Sequence, residues 1–214
     1  MIHLPAAACA GFVALLLVAH ARSDRRLEAV SKLSASVSFI AYGWVLGVVQ
    51  GGPVGVAVFT GLVLGGIGDA FLLSKRKEYF LAGLVAFLLS HVAYVAAFLL
   101  IGVATTWALG ALVLHLVIAA VVWRWLAPHT GSLRIPVAAY IAIITAMVSA
   151  AVGAAAHLDS TAGTVLIIAA LAFYLSDLTV ARERFVTRSL HNKLVGLPLY
   201  FGAQLLFGLG ASLL

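Results

Sequence analysis

Apolar runs long enough to cross a bilayer recur eight times along this chain, at about residues 4–21, 34–50, 53–73, 79–102, 104–124, 135–156, 162–180 and 194–214. Hydrocarbon offers no partner to a free backbone N–H or C=O, so a lipid-embedded run must be a helix or a strand of a closed barrel. A barrel strand alternates apolar and polar residues over roughly ten positions. These runs do not alternate. The breaks between them carry ordinary turn and helix-start residues, including Gly51-Gly52-Pro53, Gly102, Gly131 and Pro136. Composition closes off the soluble alternative: 64% of the 214 residues are hydrophobic and only 9% are charged. Soluble domains carry about 25% charged residues. The expectation is an all-α polytopic membrane protein, residues 1–214 forming a single domain of eight transmembrane helices.

The charges give that bundle a direction. Arg22, Arg25, Arg26 and Lys32 fall between the first and second runs, and Lys75, Arg76 and Lys77 between the third and fourth. Arg124 and Arg134 flank the junction of the fifth and sixth, while Arg182, Arg184, Arg188 and Lys193 fill that of the seventh and eighth. These are all 13 Lys and Arg, and every one belongs to an odd-to-even connection. The positive-inside rule then places the basic loops in the cytoplasm and both termini outside. In a bacterial cell this is a multi-pass protein of the inner membrane. The net charge of +6 comes from these loops, not from a basic face or an aromatic platform, so a nucleic-acid partner is disfavoured. The single cysteine, Cys9, permits no internal disulfide and reads as a small packing residue of the first helix.

Acidic residues inside a span cost at least ~2.5 kcal/mol and require a reason. Of the seven acids, Asp24, Glu28, Glu78 and Glu183 lie among the basic loops and Asp159 in an outer one. Asp69 and Asp177 remain, each about four residues before a basic loop, which puts both carboxylates ~5–8 Å below the same membrane face. On two helices at one depth, they are placed to face each other across a cavity open to the inner leaflet. The bland reading is that each pairs with a nearby loop cation such as Lys75 or Arg182.

The neighbours favour a site. Gly61, Gly65 and Gly68 lie on or near the Asp69 face, where small residues allow close helix approach or leave room for a ligand. Tyr174 lies three residues before Asp177 and shares its face. In the fourth run Phe80, Gly83, Phe87, His91 and Tyr94 form one face, with His91 near the bilayer midplane. A lone intramembrane His is ordinarily a hydrogen-bonded packing residue; beside Tyr94 and the aromatics it equally suits a pocket for an acyl chain. His115 reads as packing. Tyr200 and Gln204 are one turn apart, and a buried Gln needs partners from another helix. The seven His show no paired metal-ligand spacing, and no nucleophile elbow or phosphate loop occurs, so no metal is expected.

Taken in order, Gly68-Asp69-x-x-Leu72, Phe80-x-x-Gly83-x-x-x-Phe87-x-x-x-His91-x-x-Tyr94, Ser176-Asp177 and Tyr200-Phe201-x-x-Gln204 resemble the YhhN-like lysoplasmalogenase family. Lys32-Leu33 matches part of a Lys-Pro-Leu element of that pattern, with the proline absent. The resemblance implies an eight-helix membrane enzyme that hydrolyses the vinyl-ether bond of a lysophospholipid substrate, a lysoplasmalogen. The products would be a fatty aldehyde and a glycerophospho-base. It implies no cofactor; membrane lipids are the other expected partner. Its two key acids fall on Asp69 and Asp177. Vinyl ethers hydrolyse by protonation at the β-carbon and attack of water on the resulting oxocarbenium ion. Such chemistry asks for one carboxyl that holds a proton and another that is ionised, as in glycosidases.

Tyr174, His91 and Gln204 are then candidates to orient water or an Asp, and Lys32, Lys75 and Arg182 to hold the substrate phosphate. Tyr94 and Tyr200 complete the supporting set. The alternative is a small proton-coupled transporter using the same two Asp as relay groups; a non-catalytic scaffold would leave the buried acids unexplained.

Overall fold

The structure is a computed structural model and describes every residue except Lys75. Eight long helices among the described residues follow one another: α1 (Leu4–Arg22), α2 (Arg25–Val45), α3 (Gly52–Leu72), α4 (Lys77–Ile101), α5 (Thr105–Leu126), α6 (Arg134–Leu158), α7 (Thr161–Ala181) and α8 (Leu190–Ser212). The described residues contain no strand. Seven of these helices, some extended by a short helical turn, are long and apolar enough to cross a membrane. The exception is α2, whose first two turns carry Arg25, Arg26, Glu28 and Lys32.

Here the structure departs from the sequence expectation. The second helix begins at Arg25, not near residue 34, because Asp24 caps it: the carboxylate accepts from the backbone N–H groups of Arg26 and Leu27 at 3.0 and 3.1 Å. An apolar run marks where a helix meets lipid, whereas a cap marks where the helix starts. Lys32 therefore lies inside a helix and not in a loop. Lys193 likewise stands within α8, which begins at Leu190 behind the Ser189 cap.

Consecutive helices pair as α1 with α2, α3 with α4, α5 with α6 and α7 with α8, while α4 and α7 both lie against α6, and α8 reaches α1, α2 and α3. Small residues let α4 aromatics press against the α3 backbone. A Cβ on Gly61 would strike the Tyr94 ring, and one on Gly68 would stand 2.7 Å from Phe87. The α3 glycine stripe is thus filled by Tyr94 and Phe87 of α4 and, at Gly65, by Gln204 and Tyr200 of α8, and leaves no ligand space. Behind it lies an aromatic core in which Tyr94 stacks on Phe207, ring centroids 3.9 Å apart. α5 is the outermost helix, burying only His115, Val122 and Leu126 and exposing Trp107, Val113, Val117 and Val121. A face of that kind is at home in lipid and not in water.

Candidate active site

A cavity of about 460 Å³ opens at the basic end of the bundle, and both Asp69 and Asp177 line it. That volume suits a drug-sized or lipid-sized ligand. Its walls differ in chemistry. Leu84 of α4, Val122 and Leu126 of α5, and Val137, Ile141 and Ile144 of α6 make an apolar arm. Arg25, Glu28, Glu183, Arg188 and Lys193 make a charged rim.

Asp69 is buried at the α2–α3–α8 side, 2% exposed, and three donors surround it. Lys32 Nζ lies 3.2 Å from Oδ1. Ser36 Oγ and Tyr200 Oη each lie 2.7 Å from Oδ2. Lys32 and Ser36 reach the same carboxylate because they are one turn apart on α2. Tyr200 is held in turn by Gln204 Nε2 at 3.2 Å, and Tyr94 donates to Gln204 Oε1 at 2.6 Å. A chain of hydrogen bonds Tyr94–Gln204–Tyr200–Asp69 therefore runs from the aromatic core to the cavity wall. Tyr94 and Gln204 are fully buried and do not line the cavity, so neither touches a ligand there; they brace Tyr200.

Asp177 stands at the α4–α6–α7 side and is partly exposed, its side chain 18% accessible. Tyr140 of α6 donates to Oδ2 at 2.8 Å. His91 Nε2 lies 3.4 Å from that same oxygen without forming a hydrogen bond, and the imidazole is wholly buried behind Asp177. His91 is pinned by its other nitrogen, 2.6 Å from the Phe87 carbonyl oxygen, and by edge contacts with Phe173 and Tyr140. Tyr174 lines the cavity as its position relative to Asp177 suggested, and its ring approaches His115, which faces Ser149.

Among the described residues, neither acid is locked to a loop cation. Lys32 belongs to a helix, and Arg182 is engaged with Asn192 Oδ1 at 2.6 Å and does not line the cavity. Lys75 lies outside the described residues. The cations that do line the cavity, besides Lys32, are Arg25, Arg184, Arg188 and Lys193, with Arg184 stacked 4.1 Å over the Phe80 ring. Sequence reasoning missed Ser36 and Tyr140. Ser36 had a signal, its helical step from Lys32. Tyr140 had none, since one tyrosine in an apolar run looks like packing. No group of three or more His, Cys, Asp or Glu that could hold a metal ion gathers among the described residues.

Fold and cavity together define a polytopic-type helical protein with a two-carboxylate chamber set among apolar helices. The chain belongs to the YhhN family, whose model matches residues 27–211. It is 32% identical over 182 residues to lysoplasmalogenase TMEM86A of Bos taurus, which covers 80% of this chain and 71% of that protein. It is 30% identical over 179 residues to lysoplasmalogenase TMEM86A of Homo sapiens, with the same coverage. No solved structure matches the chain significantly. The motif resemblance to the family is borne out.

Proposed function

We propose that this protein is a lysoplasmalogenase: it hydrolyses the vinyl-ether bond of a lysoplasmalogen, releasing a fatty aldehyde and glycerophosphoethanolamine or glycerophosphocholine. The observation that carries this reading is one cavity holding both Asp69 and Asp177, lined by apolar residues of α4, α5 and α6 and by charged residues of α2, α8 and the segment joining α7 to α8. The names of the relatives support the substrate class. The alkenyl chain fits the arm between α4, α5 and α6. The phosphate meets Arg25, Arg188 and Lys193, and Glu28 and Glu183 stand on the same rim for the cationic base.

One Asp supplies the proton that turns the vinyl ether into an oxocarbenium ion, and the other opposes its charge while water attacks. A carboxylate in a site walled by Leu, Val and Ile stabilises such a cation more strongly than it would in bulk water. In this reading α2 also crosses the membrane, its charged start at the basic face, giving eight spans with both termini outside and the basic loops cytoplasmic. The substrate then enters from the inner leaflet.

Purified protein in detergent, given a lysoplasmalogen and its saturated ether analogue, should release aldehyde from the first alone. Asp69→Asn and Asp177→Asn should each lower that release by roughly 10²-fold or more while eluting as monodisperse protein. Full activity in either variant rejects the paired-acid reading. Proteoliposome uptake with no hydrolysis would point to the transporter instead.

A further inference from the structure

The two aspartates have unlike surroundings. Asp69 has the hydroxyls of Ser36 and Tyr200 at 2.7 Å and faces the Lys32 ammonium at 3.2 Å, three partners for a carboxylate that can accept about four hydrogen bonds. A proton on Asp69 would leave the buried Lys32 ammonium without its counter-charge. Asp177 receives one donor, Tyr140, and faces a nitrogen with no hydrogen bond.

That nitrogen carries the argument. The Phe87 carbonyl can only accept, so His91 Nδ1, 2.6 Å away, bears a hydrogen. Nε2 is then bare in a neutral ring. A bare Nε2 and an ionised Asp177 oxygen at 3.4 Å would set lone pair against lone pair in a buried place. One proton shared by the two groups removes the conflict, whether written as imidazolium and carboxylate or as imidazole and carboxylic acid. The other charged or titratable groups around this pair are Tyr140 from α6 directly and, lining the same cavity, His20 from α1, Arg25, Glu28 and Lys32 from α2, Asp69 from α3, Tyr174 from α7, Glu183, Arg184 and Arg188 after it, and Lys193 and Tyr200 from α8.

Placement in the cavity agrees. The partners of Asp177 come from α4 and α6, the helices of the apolar arm, whereas the partners of Asp69 come from α2 and α8, which carry Arg25, Glu28 and Lys193 to the charged rim; the remaining rim residues, Glu183 and Arg188, follow α7. A vinyl ether presents its atoms in the same order: glycerol oxygen, α-carbon, β-carbon, hydrocarbon chain. The proton goes to the β-carbon, next to the chain.

We propose that Asp177, sharing a proton with His91, is the acid that protonates the β-carbon, and that Asp69 remains ionised as the counter-charge to the oxocarbenium ion. The assignment rests on the lysoplasmalogenase reading. A C–H bond forms at the β-carbon as the proton leaves the Asp177–His91 pair and the C=C electrons move into it. The ether oxygen shares the positive charge left on the α-carbon. Water then adds to that carbon and returns one proton to the pair. The hemiacetal collapses by passing its hydroxyl proton to the ether oxygen, giving aldehyde and alcohol with no net change in the enzyme. His91 does not reach the cavity, so it is a positioning residue that acts through Asp177.

The test is the pH dependence of kcat for aldehyde release by detergent-purified wild type, Asp69→Asn, Asp177→Asn, His91→Gln and Lys32→Met. Wild type should show a plateau and an alkaline limb where the donor loses its proton. Asp69→Asn should keep that limb at a lowered plateau. Asp177→Asn should lose the plateau, leaving a slow rate that falls about tenfold per pH unit because only hydronium donates. His91→Gln should move the limb to lower pH and reduce kcat about tenfold or more, with a smaller change in KM; Lys32→Met, which takes a cation from the same cavity, should not move it to lower pH. A limb that disappears in Asp69→Asn and survives in Asp177→Asn overturns the assignment, even if His91→Gln fails to fold. Wild type inert toward lysoplasmalogen at every pH removes the enzyme reading itself.

Discussion

Lys32 Nζ and Asp69 Oδ1 form an ion pair 3.2 Å apart between α2 and α3, both side chains buried. Taking two charges out of water is costly, and the attraction between them repays it only while both are present. Lys32→Met should therefore destabilise the protein by roughly 3 kcal/mol, since it strands a buried carboxylate. Adding Asp69→Asn to that variant should recover much of the loss. Thermal unfolding in detergent checks both; a double variant no more stable than Lys32→Met would show that the pair is structurally idle.

The brace behind Tyr200 predicts a distant loss of function. A Cβ on Gly65 would collide with the Gln204 amide and approach the Tyr200 hydroxyl to 3.2 Å. Gly65→Ala should cost about 1–3 kcal/mol in stability. It should also depress kcat, although residue 65 does not line the cavity. Gly110→Ala, where an added Cβ meets nothing within 4 Å, is the matched control and should leave kcat unchanged without lowering stability.

The apolar arm should set chain-length preference. Ile141 of α6 lines it, and a tryptophan there fills space an alkenyl chain would use. Ile141→Trp should shift preference toward shorter chains, each displaced methylene being worth about 1–3 kcal/mol of discrimination. Relative kcat/KM over a lysoplasmalogen series of increasing chain length measures this. An unchanged profile would place the chain elsewhere.

At the rim, Arg188 is exposed and Lys193 lies 3.9 Å from Glu183. If they hold the substrate phosphate, Arg188→Gln with Lys193→Gln should raise KM about tenfold, equivalent to ~1.4 kcal/mol. Added salt should narrow the gap between variant and wild type, because exposed charges are screened. A salt-independent deficit would mean that the substitutions disturbed the fold.

Sidedness can be read chemically. In a Cys9→Ala background, His129→Cys at the basic end and Thr161→Cys at the opposite end should differ toward an impermeant maleimide applied to intact cells. Only the Thr161→Cys variant should react from outside. The reverse pattern would put the cavity mouth on the other face.

Much of this protein is written in local sequence. Apolar runs mark the helices because lipid satisfies no backbone group, and the clustering of Lys and Arg marks one end. Asp69 and Asp177 stand out because charge inside such runs is costly, and the motif spacing points to the family. What sequence patterns do not encode is which polar groups meet. Lys32 reads as a loop cation until the Asp24 cap carries its helix backward by more than two turns. Tyr140 is invisible in the sequence as a ligand of Asp177, 37 residues away. Tyr94 and Gln204, 110 residues apart, give no sign of each other. Hydropathy reports what each side chain costs in lipid, one residue at a time. Hydrogen bonds between helices depend on their rotation and crossing, which the α3 glycines and the aromatic core fix jointly. Two acids inside apolar runs are therefore legible in the chain, but their unequal surroundings are decided only when eight helices pack.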